Sequence, residues 1–489
     1  MRNKVTIPFV GGTAVDRTVN VNNQATVNFM QAVKGAGAKS PYVLETAPGL
    51  VPRATVGDGP IRTSRMVNSS IRGEGEELYG VFGTRLIAQT VSAGNIEIGT
   101  LEPGTNRVSI ARGRTHIMLV DGERGYTYDG TTFAQITDLD FPGISDDGLP
   151  TQCVYIDGFF VVVDSATDNF FISEGREDPT NWNALDFGAS AVAPDNALAV
   201  AATESLLWIF GIESAQAFYN SGNPDFPYDI VLTATQEVGC LAPDSVAESD
   251  DGIFYLATTP EGGRYVYQIQ GQSGRVVSQD EQEAFLDTVT DPTDAYGFIY
   301  KQAGKSFYVL QLSGNTGPDG RTSSTLIYNI KAGAWETREL LDGTAWRIGG
   351  HGILGNTNIG GSRLQGQTFE LSLTSYTDAG QEMIRRRRTQ VYHVNNMLMD
   401  WWSIVLDLST ATTPLLTADP EIKLRYSDDH GQTFSDWLFE PLGRIGETMH
   451  RVVFWKLGIS RNRIFEIECS EDLPLTVVAA YAEVEVLGD

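Results

Sequence analysis

Two clusters in this chain of 489 residues carry side chains able to do chemistry. The first is residues 427–434, which read S-x-D-x-G-x-T-F. A carboxylate at Asp429 and hydroxyls at Ser427 and Thr433 are spaced to bond the backbone of a tight turn. Gly431 would supply a positive φ there, and Phe434 would pack inward. Such bonds satisfy local backbone groups without a ligand, so the cluster reads as a structural turn rather than a catalyst. The second cluster is Arg385, Arg386, Arg387 and Arg388. In a strand, successive side chains point to opposite faces, two arginines to each. Phosphate, a neighbouring subunit's carboxylates and solvent are the three possible surroundings. With 62 acidic residues in the chain, carboxylates are favoured, which makes the run a subunit-interface or partner contact.

Enzyme chemistry finds no comparable pattern. His116, His351, His393, His430 and His450 are scattered, without H-E-x-x-H or paired metal spacing. Gly304-Lys305-Ser306 resembles the end of a phosphate-binding loop, but Ile299 stands where that motif needs its first glycine, and strand patterns flank it. There is no G-x-S-x-G elbow. Cys153, Cys240 and Cys469 are odd in number and far apart, which suits neither a disulfide framework nor a zinc knuckle and fits a reducing compartment. No catalytic residue, cofactor or metal is expected.

The elements that must position these clusters are short strands. The 51 glycines, and Asp-Gly pairs at Asp121, Asp129, Asp157, Asp251, Asp319 and Asp342, punctuate apolar runs as tight turns do. Residues 152–163, QCVYIDGFFVVV, form the clearest hairpin, and comparable blocks recur about every 35 to 50 residues, the spacing of propeller blades. The single helical candidate, residues 279–287, is a turn or two long.

The chain therefore reads as all-β in three parts. Residues 1–55 are a polar, asparagine-rich extended arm that ends on the turn TAPGL. Residues 56–377 are a degenerate β-propeller-like domain of six or seven blades. Residues 378–489 are a β-sandwich or platform domain that contains the arginine run, the strand WWSIVLDL, a Pro/Thr-rich loop over residues 409–420 and the S-x-D-x-G-x-T-F turn. The N-terminus has no apolar run behind its basic residues, and no stretch of about 18 apolar residues occurs, so neither a secretion signal nor a membrane segment is expected.

A net charge of −27 keeps copies dispersed and argues against wrapping or reading nucleic acid, whose affinity comes from clustered Lys and Arg. Residues 427–434 resemble the Asp box, a hairpin turn of propeller blades and related sandwiches. A sialidase would need several copies, an arginine cluster and an acid–tyrosine pair, and a single copy is found. A carbohydrate-binding or sialidase-like propeller is the alternative. It would set aromatic residues such as Trp182, Trp208, Trp335 and Trp346 at one mouth, although such tryptophans otherwise fill the spaces between blades.

The order of motifs is more specific. The asparagine-rich arm with its T-x-PGL turn precedes RVSIARGR and YDGT, and the tail runs IRRRRTQ, LRYSDDHGQTFSDW, LGRIGE, RVVFWKLG and RNRIFE. This series resembles the packaged-DNA stabilisation proteins of short-tailed bacteriophages, the tail hub or nozzle family, along nearly the whole chain. The glycine-rich segment at Gly35 and the loop over residues 314–324 depart from it. The resemblance implies a structural virion protein made in the host cytoplasm and placed in the tail. It further implies a homo-oligomeric ring, expected to be a hexamer, below the portal and adaptor rings. That ring would carry tailspikes or fibres and a needle or knob, and genomic DNA would pass through its lumen without specific binding.

Overall fold

Hairpin turns set the repeat that the glycines announce. The computed structural model describes residues 3–15, 22–35, 38–190, 195–203, 205–259, 261–312, 325–410, 420–443 and 451–488. His450, Asp319, the loop over residues 314–324 and most of the Pro/Thr-rich segment lie outside these. At the clearest hairpin, strands Pro150–Ile156 and Phe159–Asp164 are joined by Asp157 and Gly158, both at positive φ (55° and 92°). That pair of conformations defines the two-residue turn whose twist matches the strands.

Seven such sheets stand around one axis. Their innermost strands are Val67–Ser69, Ser109–Arg112, Pro150–Ile156, Ala199–Ala202, Ala247–Ser249, Tyr296–Gln302 and Ile348–Leu354. Each lies beside the next, and the last lies beside the first. Within each blade the second strand is flanked by neighbouring blades on both faces. Ile117–Val120 and Leu207–Phe210 are accordingly apolar and buried at every position, where a sheet with one wet face would alternate. A buried apolar cluster fills each of the seven gaps between blades. The ring closes with a strand from the opposite end of the sequence, as Gly49–Thr55 pairs with Gln367–Ser372 to complete the seventh blade. Among the described residues the α-helix is Asp280–Thr288, started by a capping box between Gln279 and Gln282.

The C-terminal residues form a two-sheet sandwich. One sheet holds Phe29–Val33, Tyr42–Thr46, Thr476–Gly488, Leu398–Ser409 and Arg451–Ser460 in that order, with Asn3–Ile7 added on Thr476–Gly488. The facing sheet holds Asn23–Val27, Arg385–Arg388, Asn462–Cys469, Glu421–Ser427 and Leu438–Pro441. Between them lies one apolar core that includes Phe29, Leu44, Trp401, Leu406, Phe454 and Phe465.

The two bodies share a sheet. Asn23–Val27 bonds Ala334–Arg338, the outer strand of the sixth blade, through Val27 and Thr337, and bonds Arg385–Arg388 on its other side. The stretch that reads in sequence as an extended arm is thus threaded through both bodies. Asn28 in this stretch, at φ 54°, donates to the carbonyls of Glu339 and Ile384.

Candidate functional site

The arginine run lies inside the protein. Arg385, Arg386, Arg387 and Arg388 are 0%, 2%, 0% and 5% exposed. The expectation that they form a subunit-interface or partner contact is corrected: they occupy a central strand, with Asn23–Val27 on one side and Asn462–Cys469 on the other. Their alternation is as expected, two to each face, and both faces are covered.

On one face the strand register builds two charged rungs. Arg386 lies opposite Glu468, and Glu468 opposite Lys423; Arg388 lies opposite Glu466, and Glu466 opposite Arg425. Glu468 accepts from Arg386 at 3.0 Å and pairs with Lys423 at 2.6 Å. Glu466 accepts from Arg388 Nε at 2.7 Å and from Arg425 Nε at 2.8 Å. Arg386 also reaches Glu339, beyond the sixth blade, at 2.7 Å. Burial alone would raise the Glu466 carboxyl, but the guanidinium groups of Arg388, Arg425 and Arg386 outweigh it and hold the group below its usual range.

The other face meets backbone rather than acids. Arg387 donates to the carbonyls of Phe9 (2.7 Å) and Gly12 (2.8 Å), to Thr26 Oγ1 (2.8 Å) and to Gln24 Oε1 (2.6 Å). Burial pulls it down to about 9, which leaves it charged at neutral pH. Arg385 donates to the carbonyls of Leu473 and Glu471. One strand thereby ties the N-terminal segment, the propeller and both sandwich sheets together.

The 427–434 hairpin docks on this assembly. Ser427 Oγ donates to Asp429 Oδ1 at 2.7 Å and accepts from the Gly431 N–H at 2.8 Å. The Asp429 carboxylate accepts from the Thr433 N–H at 2.9 Å and from the Thr433 hydroxyl at 2.5 Å. Gly431 sits at φ 90°, and a Cβ there would lie 2.2 Å from Asn23 Nδ2. Asn23 in turn donates to the His430 carbonyl (3.1 Å) and accepts from Arg388 (2.8 Å). Phe434 lies under the guanidinium groups of Arg425 and Arg388, with centroid distances of 4.3 and 5.1 Å.

Partial burial would raise the Asp429 carboxyl, yet the bonds from Thr433 and Ser427 bring it down to about 2. Its contribution to the hairpin is complete above the ordinary value of 3.8 and is lost as pH falls through about 2. Amide exchange of residues 427–434 is expected to stay protected to pH 4 and to rise below pH 3, whereas Asp429→Asn is expected to raise it at neutral pH. Equal protection in both proteins at neutral pH would contradict the assignment.

The sequence reading did not find the glutamates. Their signal was the alternation R-x-x-E-x-E of Asn462–Cys469, which sets Glu466 and Glu468 on one face of an apolar strand, spaced to match Arg386 and Arg388.

The propeller axis holds the other candidate. A cavity of about 520 Å³ is lined by all seven inner strands, with Asp244, Glu248, Arg65 and His351 among the lining residues. Burial pushes the His351 imidazole down to about 4, against its hydrogen bond with Asn358, so it is neutral at physiological pH. Trp182, Trp208, Trp335 and Trp346 do not line this cavity; all four are buried in the cores between blades. Cys153, Cys240 and Cys469 are free and buried.

Two family profiles match the chain. One, described as the β-propeller of bacteriophage P22 Gp10, covers residues 5–332. The other, described as the β-sandwich of bacteriophage P22 Gp10, covers residues 384–485. No curated protein matches. Similar solved structures include the WD40 β-propeller domain of Doa1, at 12% identity and a TM-score of 0.39, covering 66% of this chain and 97% of that one. They also include the N-terminal domain of Nup159, at 11% identity and a TM-score of 0.39, covering 71% and 98%.

Proposed function

The chain belongs to the bacteriophage P22 Gp10 family of packaged-DNA stabilisation proteins, and from that premise we propose that its copies close into a ring that retains the packaged genome and guides its ejection. It is a structural protein of the phage tail. The observation that carries the proposal is the order of the two matched regions, propeller then sandwich, on a chain that folds into those two bodies.

In this reading the ring, a hexamer, sits below the portal and adaptor rings and extends their channel. It carries the tailspikes or fibres and holds a needle or knob at its tip. Retention is steric. A wall built from a chain of charge −27 repels phosphate, and within a Debye length of about 8 Å it centres the duplex. Burial of Arg385–Arg388 supports this, because the longest basic run of the sequence is spent on internal carboxylates and carbonyls and is not offered to DNA.

Two measurements test the reading. Mixed with a portal–adaptor complex, the protein is expected to co-sediment with it as a closed ring; failure to associate would overturn the proposed position. A labelled DNA duplex is expected to show no binding at low salt. Tight binding that weakens steeply with salt would overturn the repulsive wall.

A further inference from the structure

Among the described residues, strand Arg451–Ser460 forms an edge of the sandwich and is paired on one side only, to Leu398–Ser409. Beside it runs Leu438–Pro441, the edge of the facing sheet. An open edge is ordinarily protected by charge or kept short, since it offers its backbone to another chain. This one instead exposes large apolar groups: Trp455 (53%), Ile459 (55%) and Phe439 (58%). Trp455 is braced edge-on against Trp402, with centroids 6.4 Å apart.

The patch is also basic. Residues 451–462 contain three basic residues and no acidic one, in a chain of net charge −27. Arg451, Lys456 and Arg461 are exposed. A complementary surface lies on the far side of the propeller. The outer strand of the third blade, Asp178–Ala189, is free of Lys and Arg and exposes Leu185 (79%) beside Asp186 and Phe187. Asp138 bonds the Trp182 N–H and brings exposed Leu139, between Asp138 and Asp140, to the same rim. The sandwich continues from the sixth blade, three blades away in a ring of seven.

We propose that the edge strand Arg451–Ser460 docks on the third-blade outer strand of a second copy, and that this contact, repeated head to tail, closes the ring. The inference rests on the ring reading above and names its interface. Pairing of the edge with itself about a twofold axis would bring together two strands that each carry basic and no acidic residues. Contact with the acidic rim joins opposite charges and two apolar patches, and a contact between unlike faces is the kind that closes into rings. The chain itself is the acidic partner at hand.

The test is assembly of the full chain, followed by sedimentation and electron microscopy. Trp455→Asp and Lys456→Glu alter exposed side chains and are expected to leave the circular dichroism spectrum native and the melting cooperative. Trp455→Asp is expected to raise the concentration for half-assembly by about 30-fold or more, as loss of a tryptophan anchor does. Lys456→Glu weakens assembly, and Asp186→Lys in the same chain restores it. If the wild type forms rings and both single variants assemble equally well, this interface is wrong while the ring reading stands. If Lys456→Glu weakens assembly and Asp186→Lys fails to restore it, the third blade is not the partner surface and the proposal is overturned. If the wild type forms no ring at any concentration, the ring reading itself fails.

Discussion

Glu466→Ala is expected to destabilise the sandwich by about 3–5 kcal/mol, the usual consequence of leaving a buried charge without its partner. The carboxylate is fully buried between Arg388 and Arg425. Its removal leaves Arg388, 5% exposed, with only neutral Asn23 Oδ1 as acceptor among its hydrogen-bond partners. Arg425 is partly exposed and can turn its head to water, so the cost falls on Arg388. Trp401 packs edge-on against Phe465 at 5.3 Å, and its fluorescence reports the loss in urea. Replacing both partners with apolar groups, Glu466→Leu with Arg388→Met, is expected to recover most of it, because no buried charge is then uncompensated. A single variant with the wild-type urea midpoint would contradict this account of the rungs.

The second large effect concerns the N-terminal segment. A chain that begins at residue 56 is expected not to fold. It lacks Gly49–Thr55, which completes the seventh blade, and the strands that the first 55 residues give to both sandwich sheets. It also loses Ile7, Phe9, Phe29, Leu44 and Leu50, each 2% exposed or less. At about 1.5–3 kcal/mol for each buried side chain, that loss matches the whole net stability of about 5–15 kcal/mol typical of a domain. Circular dichroism and thermal melting check it. A soluble truncated chain with a native spectrum and a cooperative transition would show that the segment decorates the fold and does not close it.

That segment marks where the sequence is legible and where it is not. Local signals carried the hairpins: Asp157-Gly158 turns as its dipeptide demands, and Ser427, Asp429 and Thr433 bond one another within one turn. Blade-sized spacing was visible because each blade is a run of such hairpins, and the structure places seven around the axis. Long-range pairing was not visible. Asn23–Val27 looks polar and loop-like because its polar side chains are satisfied by residues hundreds of positions away, such as Arg387 and Arg388. The four arginines suggested a surface for the same reason. A charged run reads as exposed until its counter-charges are seen to arrive, Glu466 and Glu468 from one neighbouring strand and Glu339 from just beyond the sixth blade. Recognition of the family rested on the order of several short motifs, which survives where pairing cannot be read.

The central claim is that this protein works as a wall segment of a tail conduit. Averaged electron microscopy of the phage tail, at a resolution that shows side chains, tests it most directly. The account predicts closed rings of this chain below the portal and adaptor, around an open channel, with the Arg385–Arg388 strand enclosed within each subunit. Density showing single copies hung on the outside of the tail, with no channel through their assembly, would contradict it.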